Sequence, residues 1–125
     1  MPLALAIDLG GTKVEAALVY ETGALVEGSR HRHPTGAAAA TDVAVLQDAL
    51  ETVIAGCRTH PRWGDVTAAG IGAAGPVDVA AGTIAPINLP AAHGFDIVSA
   101  VRAASGVDAA HLRLDGTCIA LAEAW

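Results

Sequence analysis

Residues 3–20 read LALAIDLGGTKVEAALVY, and the pattern in them decides the architecture. Leu3 to Leu9 is a short, almost continuous apolar run bounded by Gly10-Gly11, the mark of a buried strand. Lys13 to Tyr20 reads as a second strand, and the two adjacent glycines suit a tight hairpin between them. Gly23 marks a further turn into a third strand, Ala24 to about Arg32, so the chain is expected to open with an antiparallel meander. Pro34 to Ala40 follows as a small-residue linker.

Beyond the linker the period changes. Leu46, Ala49, Leu50, Val53, Ile54 and Cys57 fall on one continuous helical face. Thr41 is the expected N-cap with Asp42 in the first turn; Arg58 and His60 sit in the last turn, and Pro61 stops the helix. Val66 to Ile71 is apolar and small on both faces, which predicts a buried fourth strand. Residues 72–94 are rich in Gly and Pro, with a short strand expected around Thr83 to Ala85. Phe95 to Ser105 has a second helical pattern closed by Gly106, and His111 to Leu114 reads as the last strand. Thr117 to Trp125 begins a third helix that reaches the final residue without cap, glycine or proline, as if the chain were part of a longer protein. No internal repeat is visible at periods of 20–50 residues.

Composition narrows the classes of function. With 125 residues, 53% hydrophobic and 16% charged, the chain is too apolar for disorder and of a size for one core. Seven Lys+Arg against thirteen Asp+Glu give a net charge of −6, and Lys13 is the only lysine. A binder of phosphate backbones needs a basic surface, so no nucleic-acid partner is expected. Cys57 and Cys118 match no zinc or redox spacing and read as reduced core residues of an intracellular protein. No basic region precedes the apolar N-terminus, and the longest uncharged run, Val79 to Phe95, is too short and too broken to span a bilayer. A cytoplasmic protein without a membrane partner is expected.

Asp8-Leu9-Gly10-Gly11-Thr12-Lys13 is the first segment with chemistry in it. Glycines let a backbone approach a phosphate closely and aim N–H groups at it. Thr12 adds a hydroxyl, Lys13 a cation, and Asp8 a carboxylate able to hold a magnesium-bound water. A Gly-Gly turn with incidental polar neighbours is the alternative. The segment is not a Walker loop, because the Gly-Lys-Ser/Thr ending and the following helix are missing. A second segment, Gly70-Ile71-Gly72-Ala73-Ala74-Gly75, spells G-x-G-x-x-G with Asp96 downstream. A dinucleotide site needs a helix opening at the last glycine, and Pro76-Val77-Asp78-Val79 favours extended chain, so that reading is rejected. His31 and His33 could share a strand face as a metal pair, but no third ligand is near, and a solvated strand end is the better reading.

Taken together, the segments carry a resemblance. Asp8 to Lys13 resembles the first phosphate motif of the actin-like sugar kinases, and Gly70 to Asp78 resembles the glycine–proline loop of the ROK family (repressor, open reading frame, kinase). Asn88-Leu89-Pro90, followed by Gly94-Phe95, is similar to that family's sugar-side loop. Leu114-Asp115-Gly116-Thr117-Cys118, running to Glu123, aligns with the family's Asn-Asp helix opening: Asp115 falls on the catalytic aspartate and Glu123 on the helix glutamate. Leu114 stands where the family has a sugar-binding Asn, and Thr117 where a second Asn is usual. Losing one hydrogen-bonding partner in a site built for hydroxyls costs on the order of 1–3 kcal/mol. Without the resemblance, an N-cap carboxylate at a helix start is the alternative reading of Asp115.

The resemblance implies an α/β fold of the ribonuclease-H-like, actin-like ATPase type, a mixed sheet with antiparallel first three strands and flanking helices. Residues 1–125 would be the N-terminal lobe of a two-lobed sugar kinase, truncated before the second lobe, which carries the family's zinc cluster. It further implies ATP with Mg²⁺ as phosphoryl donor, a glucose-like hexose as acceptor, and a homo-oligomer. Asp115 would accept the hydroxyl proton, Gly10, Gly11, Thr12 and Lys13 would face the phosphates, and Asp8 would help hold Mg²⁺ through water. Asn88, Gly75 and Pro76 would orient the sugar together with Asp115. The chain alone is expected to bind no metal and to lack catalysis. The competing class is a non-catalytic sugar-sensing or interaction module, for which Leu114 is the main evidence.

Overall fold

Side chains alternate across the first strand, and that alternation sets the layers. A computed structural model describes residues 2–10, 13–35, 42–73, 77–78, 82–84 and 94–114. In strand β1 (Leu3–Leu9) the odd residues Leu3, Leu5, Ile7 and Leu9 are all buried. Strand β2 (Lys13–Val19) runs back antiparallel, with Leu5 opposite Leu18, Ile7 opposite Ala16 and Leu9 opposite Val14. Residues directly opposite share a face, so these form one apolar surface. Helix α1 (Val43–Arg58) lies against it, burying Leu46, Ala49, Leu50, Val53, Ile54 and Cys57, the face expected from their spacing. The other face is built from small residues: Ala4, Ala17 and Ala68 are buried there, and Asp8 is exposed.

The third strand starts later than its composition suggests. Strand β3 (His31–Pro34) pairs with β2 from Ala16–His31 to Lys13–Pro34, whereas residues 24–30 make an excursion. Leu25 forms an isolated bridge to Val19, and Val26 N–H donates to the Leu18 carbonyl at 2.8 Å. Gly28 then turns the chain at φ +74°. The buried Ser29 hydroxyl accepts the Leu18 N–H at 3.0 Å and donates to the Val26 carbonyl at 2.6 Å. A side chain thus stands where a strand neighbour would, satisfying a backbone group that burial would otherwise orphan.

Helix α1 starts one residue later than expected. Asp42, in extended conformation, is the N-cap and accepts the Ala44 N–H at 2.9 Å; Thr41 lies outside the described residues. Its C-terminus is tied to the excursion by His60. Arg62 N–H donates to His60 Nδ1 at 3.1 Å, so Nε2 carries the proton and donates to the Glu27 carbonyl at 3.0 Å. Burial pushes the Cys57 thiol up to about 12, which suits an inert core residue; Cys118 lies outside the described residues. One turn of 3₁₀ helix, Trp63–Asp65, leads into strand β4 (Val66–Ala73).

β4 pairs parallel with β1, Ile7 opposite Ile71, and strand β8 (Ala110–Leu114) pairs parallel with β4, Ile71 opposite Leu112. The five-stranded order is β3-β2-β1-β4-β8. Between β4 and β8 lies a small antiparallel sheet of strands β5 (Val77–Asp78), β6 (Thr83–Ile84) and β7 (Phe95–Asp96). β5 falls within Pro76 to Val79, read from the sequence only as extended chain, and β7 has no counterpart there, because a two-residue strand carries no periodicity. Phe95 is accordingly not helical: helix α2 (Ile97–Ser105) begins two residues on, capped by Asp96 and closed by Gly106 at φ +75°. Gly82 at φ +72° leaves no room for a side chain, since a Cβ would lie 2.9 Å from Val98 Cγ2. No described helix is long and apolar enough to cross a membrane. The segment 117–125, expected to be helical, lies outside the described residues.

Two measurements check this packing. A Cβ on Gly56 would lie 2.6 Å from Nδ1 and 2.7 Å from Cγ of His31, whose ring fills the space beside α1. Gly56→Ala gains helix propensity, about 1 kcal/mol, yet is expected to destabilise the fold by roughly 1–2 kcal/mol through overpacking. Combining it with His31→Ala should recover most of that loss in a denaturant-unfolding cycle; additive effects would contradict the contact. At α2, the Ser99 N–H (3.0 Å) and then its hydroxyl (2.9 Å) hold the Asp96 carboxyl below its ordinary value. A depressed pKa contributes stability above the unfolded value and loses it as pH falls through the folded one. Asp96→Ala should therefore cost about 1 kcal/mol at pH 7, a difference that shrinks when unfolding is followed below about pH 4.

Candidate functional site

Three parallel strands end side by side, and their register decides what meets there. Asp8 pairs with Gly72, and Gly72 with Arg113; one step on, Leu9 pairs with Ala73, and Ala73 with Leu114. The residues next in sequence are the hairpin loop after Gly10, Ala74-Gly75-Pro76 after Ala73, and Asp115 after Leu114. Three segments singled out in the sequence therefore depart from one edge of the sheet, outside the carboxyl ends of the parallel strands, where open α/β sheets hold ligands. Of the candidate residues, Asp8, Gly10 and Lys13 are described and stand together at the hairpin. Gly11, Thr12, Gly75, Pro76, Asn88 and Asp115 lie outside the described residues.

The hairpin closes as its two glycines suggest: Gly10 N–H donates to the Lys13 carbonyl at 2.9 Å. Gly10 is not among the positive-φ glycines, and a Cβ there would make an ordinary 3.4 Å contact with the Lys13 carbonyl oxygen. The fold thus has room for a side chain at position 10, and its absence leaves the backbone open to an approaching group. Val77–Asp78 is extended and paired to β6, and Asp96 spends its carboxylate on the cap of α2. Both disagree with a dinucleotide fingerprint, which needs a helix just after Gly75 and a free acidic residue.

Charges gather at the start of β2. Lys13 Nζ lies 2.9 Å from Glu15 Oε1, while Arg30 Nη2 and Nε lie 2.8 Å and 3.0 Å from Oε2. Glu15 is also the register partner of Asp8. Carboxylates directly opposite on neighbouring strands repel, and the two cations on Glu15 offset that repulsion. The Lys13 ammonium foremost, with the Arg30 guanidinium, holds the Glu15 carboxyl below the usual carboxylate range against the opposing effect of burial. Lys13, Glu15 and Asp8 share the face turned away from α1.

Glu15 and Arg30 were missed in the sequence. Glu15 was within reach, since two residues along a strand share a face; Arg30 was not, because its approach depends on the Ser29 excursion. His31 and His33 do not form a metal pair: the His31 ring sits against α1, and His33 Nδ1 donates to the Pro34 carbonyl at 2.8 Å. Among the described residues no group of three or more His, Cys, Asp or Glu is placed to hold a metal ion. The exposed Asp8 carboxylate is a donor of the kind that suits a hydrated Mg²⁺.

Comparison with known proteins places the chain by family and fold. The ROK family model matches residues 4–125. An N-acetylmannosamine kinase of Yersinia pseudotuberculosis serotype O:1b (strain IP 31758) is 34% identical over 119 residues, which cover 95% of this chain and 38% of that protein. The chain thus spans under two fifths of the length of the curated relatives it matches. Among solved structures, a ROK family glucokinase from Streptomyces griseus in complex with glucose and AMPPNP superposes with TM-score 0.69 at 28% identity, covering 90% of this chain and 33% of that one. A ROK hexokinase from Thermus thermophilus gives TM-score 0.62 at 28% identity, over 90% of this chain and 35% of that one. The α/β mixed sheet with flanking helices is that of sugar kinases with the actin-like ATPase fold, and the chain belongs to the ROK family.

Proposed function

We propose that residues 1–125 are the N-terminal lobe of a two-lobed, ATP-dependent hexose kinase that transfers the γ-phosphoryl group to a sugar hydroxyl. The observation that carries this reading is the common edge of β1, β4 and β8, from which the hairpin loop, the glycine–proline segment and Asp115 all continue. Family membership and the named kinase relatives support it. The backbone at Gly10, the N–H groups of Gly11 and Thr12 and the Lys13 ammonium would face the polyphosphate. Asp8 would hold a hydrated Mg²⁺, which when bound neutralises phosphate charge. Asn88, Gly75 and Pro76 would orient the sugar so that the attacking oxygen points at phosphorus. Asp115 would accept the hydroxyl proton as that oxygen attacks.

A sugar-sensing module without catalysis is the second reading, favoured by Leu114 in the position where the family's sugar-binding Asn is expected. A hydrocarbon side chain there cannot replace a hydrogen bond to a hydroxyl. The two readings separate on turnover.

In a coupled assay with ATP, Mg²⁺ and a panel of hexoses, this lobe joined to the rest of the kinase is expected to turn over a hexose. Asp115→Asn should lower kcat by about 10²- to 10⁴-fold with little change in the sugar KM. Hexose binding without turnover would favour the sensing module, and a kcat that survives Asp115→Asn would remove the base assignment. In the same assay Leu114→Asn should lower the sugar KM by about tenfold. An unchanged KM would mean that Leu114 is not the counterpart of the family's Asn.

A further inference from the structure

The geometry points to Arg30 as a second cationic contact for a polyphosphate, brought to the hairpin by Glu15 acting as a positioning residue. This rests on the reading of Gly10 to Lys13 as a phosphate-facing turn. One carboxylate holds two cations: Glu15 Oε1 takes the Lys13 ammonium at 2.9 Å, and Oε2 takes the Arg30 guanidinium through Nη2 at 2.8 Å and Nε at 3.0 Å. Exposure divides the three unequally. The Glu15 side chain is 17% exposed, whereas those of Lys13 and Arg30 are 48% and 49% exposed. Within the cluster the carboxylate is the most buried member and the cations are the most exposed. With Asp8 opposite Glu15 the two cations balance two carboxylates, and the exposed Lys13 and Arg30 groups are the ones a polyanion can engage.

Lys13 is joined to the turn by its carbonyl, which accepts the Gly10 N–H, and Arg30, which precedes β3, reaches back to the carboxylate that also holds the Lys13 ammonium. A guanidinium contacted through two nitrogens keeps its remaining N–H groups available in a fixed plane, the geometry that suits phosphate oxygens. Arg30 is seventeen positions from Lys13 in the chain and belongs to none of the phosphate-motif residues; the excursion at 24–30 and the Glu15 clamp bring it there.

The test is calorimetric titration of the 125-residue chain with inorganic tripolyphosphate at low ionic strength, which probes the phosphate end of a nucleotide alone. Wild type is expected to bind, and Glu15→Gln to weaken binding by about three- to tenfold despite removing a negative charge. Arg30→Gln, at a half-exposed position, should weaken it similarly and flatten its salt dependence; it carries the test if the thermal midpoint shows that Glu15→Gln fails to fold. Equal or tighter binding by Glu15→Gln, with Arg30→Gln unchanged, would overturn the proposal and leave the phosphate reading of the hairpin standing. No binding by wild type would sink that reading and the proposal with it.

Discussion

The parallel pairing of β1 with β4, and of β4 with β8, is the constraint on which everything else depends. Ile7, Ile71 and Leu112 lie in one row across three strands, each almost fully buried against the helices. A slip of one residue in any strand would exchange its buried set for the opposite face. On β1 that would carry Asp8 into the core and turn Leu9 outward. The hydrophobic row that stabilises the sheet therefore also fixes the ends of the three strands, and with them the places where chemistry can be assembled.

Long periodic segments were legible in the sequence and short ones were not. Every residue assigned to the apolar face of α1 is buried, since sixteen residues leave the 3.6-residue period no competitor. β1 and β4 were equally plain as apolar runs, and β2 and β8 were readable as strands although each carries charged or polar residues. Failures occur where a single side chain overrides a pattern. Ser29 replaces a strand neighbour and delays β3 to His31. Asp96 takes the cap of α2 and releases Phe95 into a strand. Neither is a matter of propensity; both depend on hydrogen bonds whose partners are defined only after folding.

The candidate site divides along the same line. Asp8, Gly10 and Lys13 were readable because the hairpin is local, and their arrangement follows from a turn of two glycines. That the glycine–proline segment and Asp115 should leave the same sheet edge could be expected only through family resemblance, because parallel register between distant strands has no local signature. Arg30 lay beyond either route. Its approach to Glu15 requires both the β2–β3 pairing and the detour that precedes it.

Order of synthesis gives the central strand a particular history. β1 can close its hairpin with β2 as soon as residues 3–19 are available, since that contact is local. Its other edge is filled only by residues 66–73, and β4 in turn waits for residues 110–114. Until then a nascent chain would carry an apolar ribbon with an open edge, the kind of surface that recruits a second copy. Helix α1 emerges in the interval and covers one face of that ribbon, leaving the edge as the exposed part. Slow elongation at any point before residue 73 would thus prolong the exposure of the β1 edge.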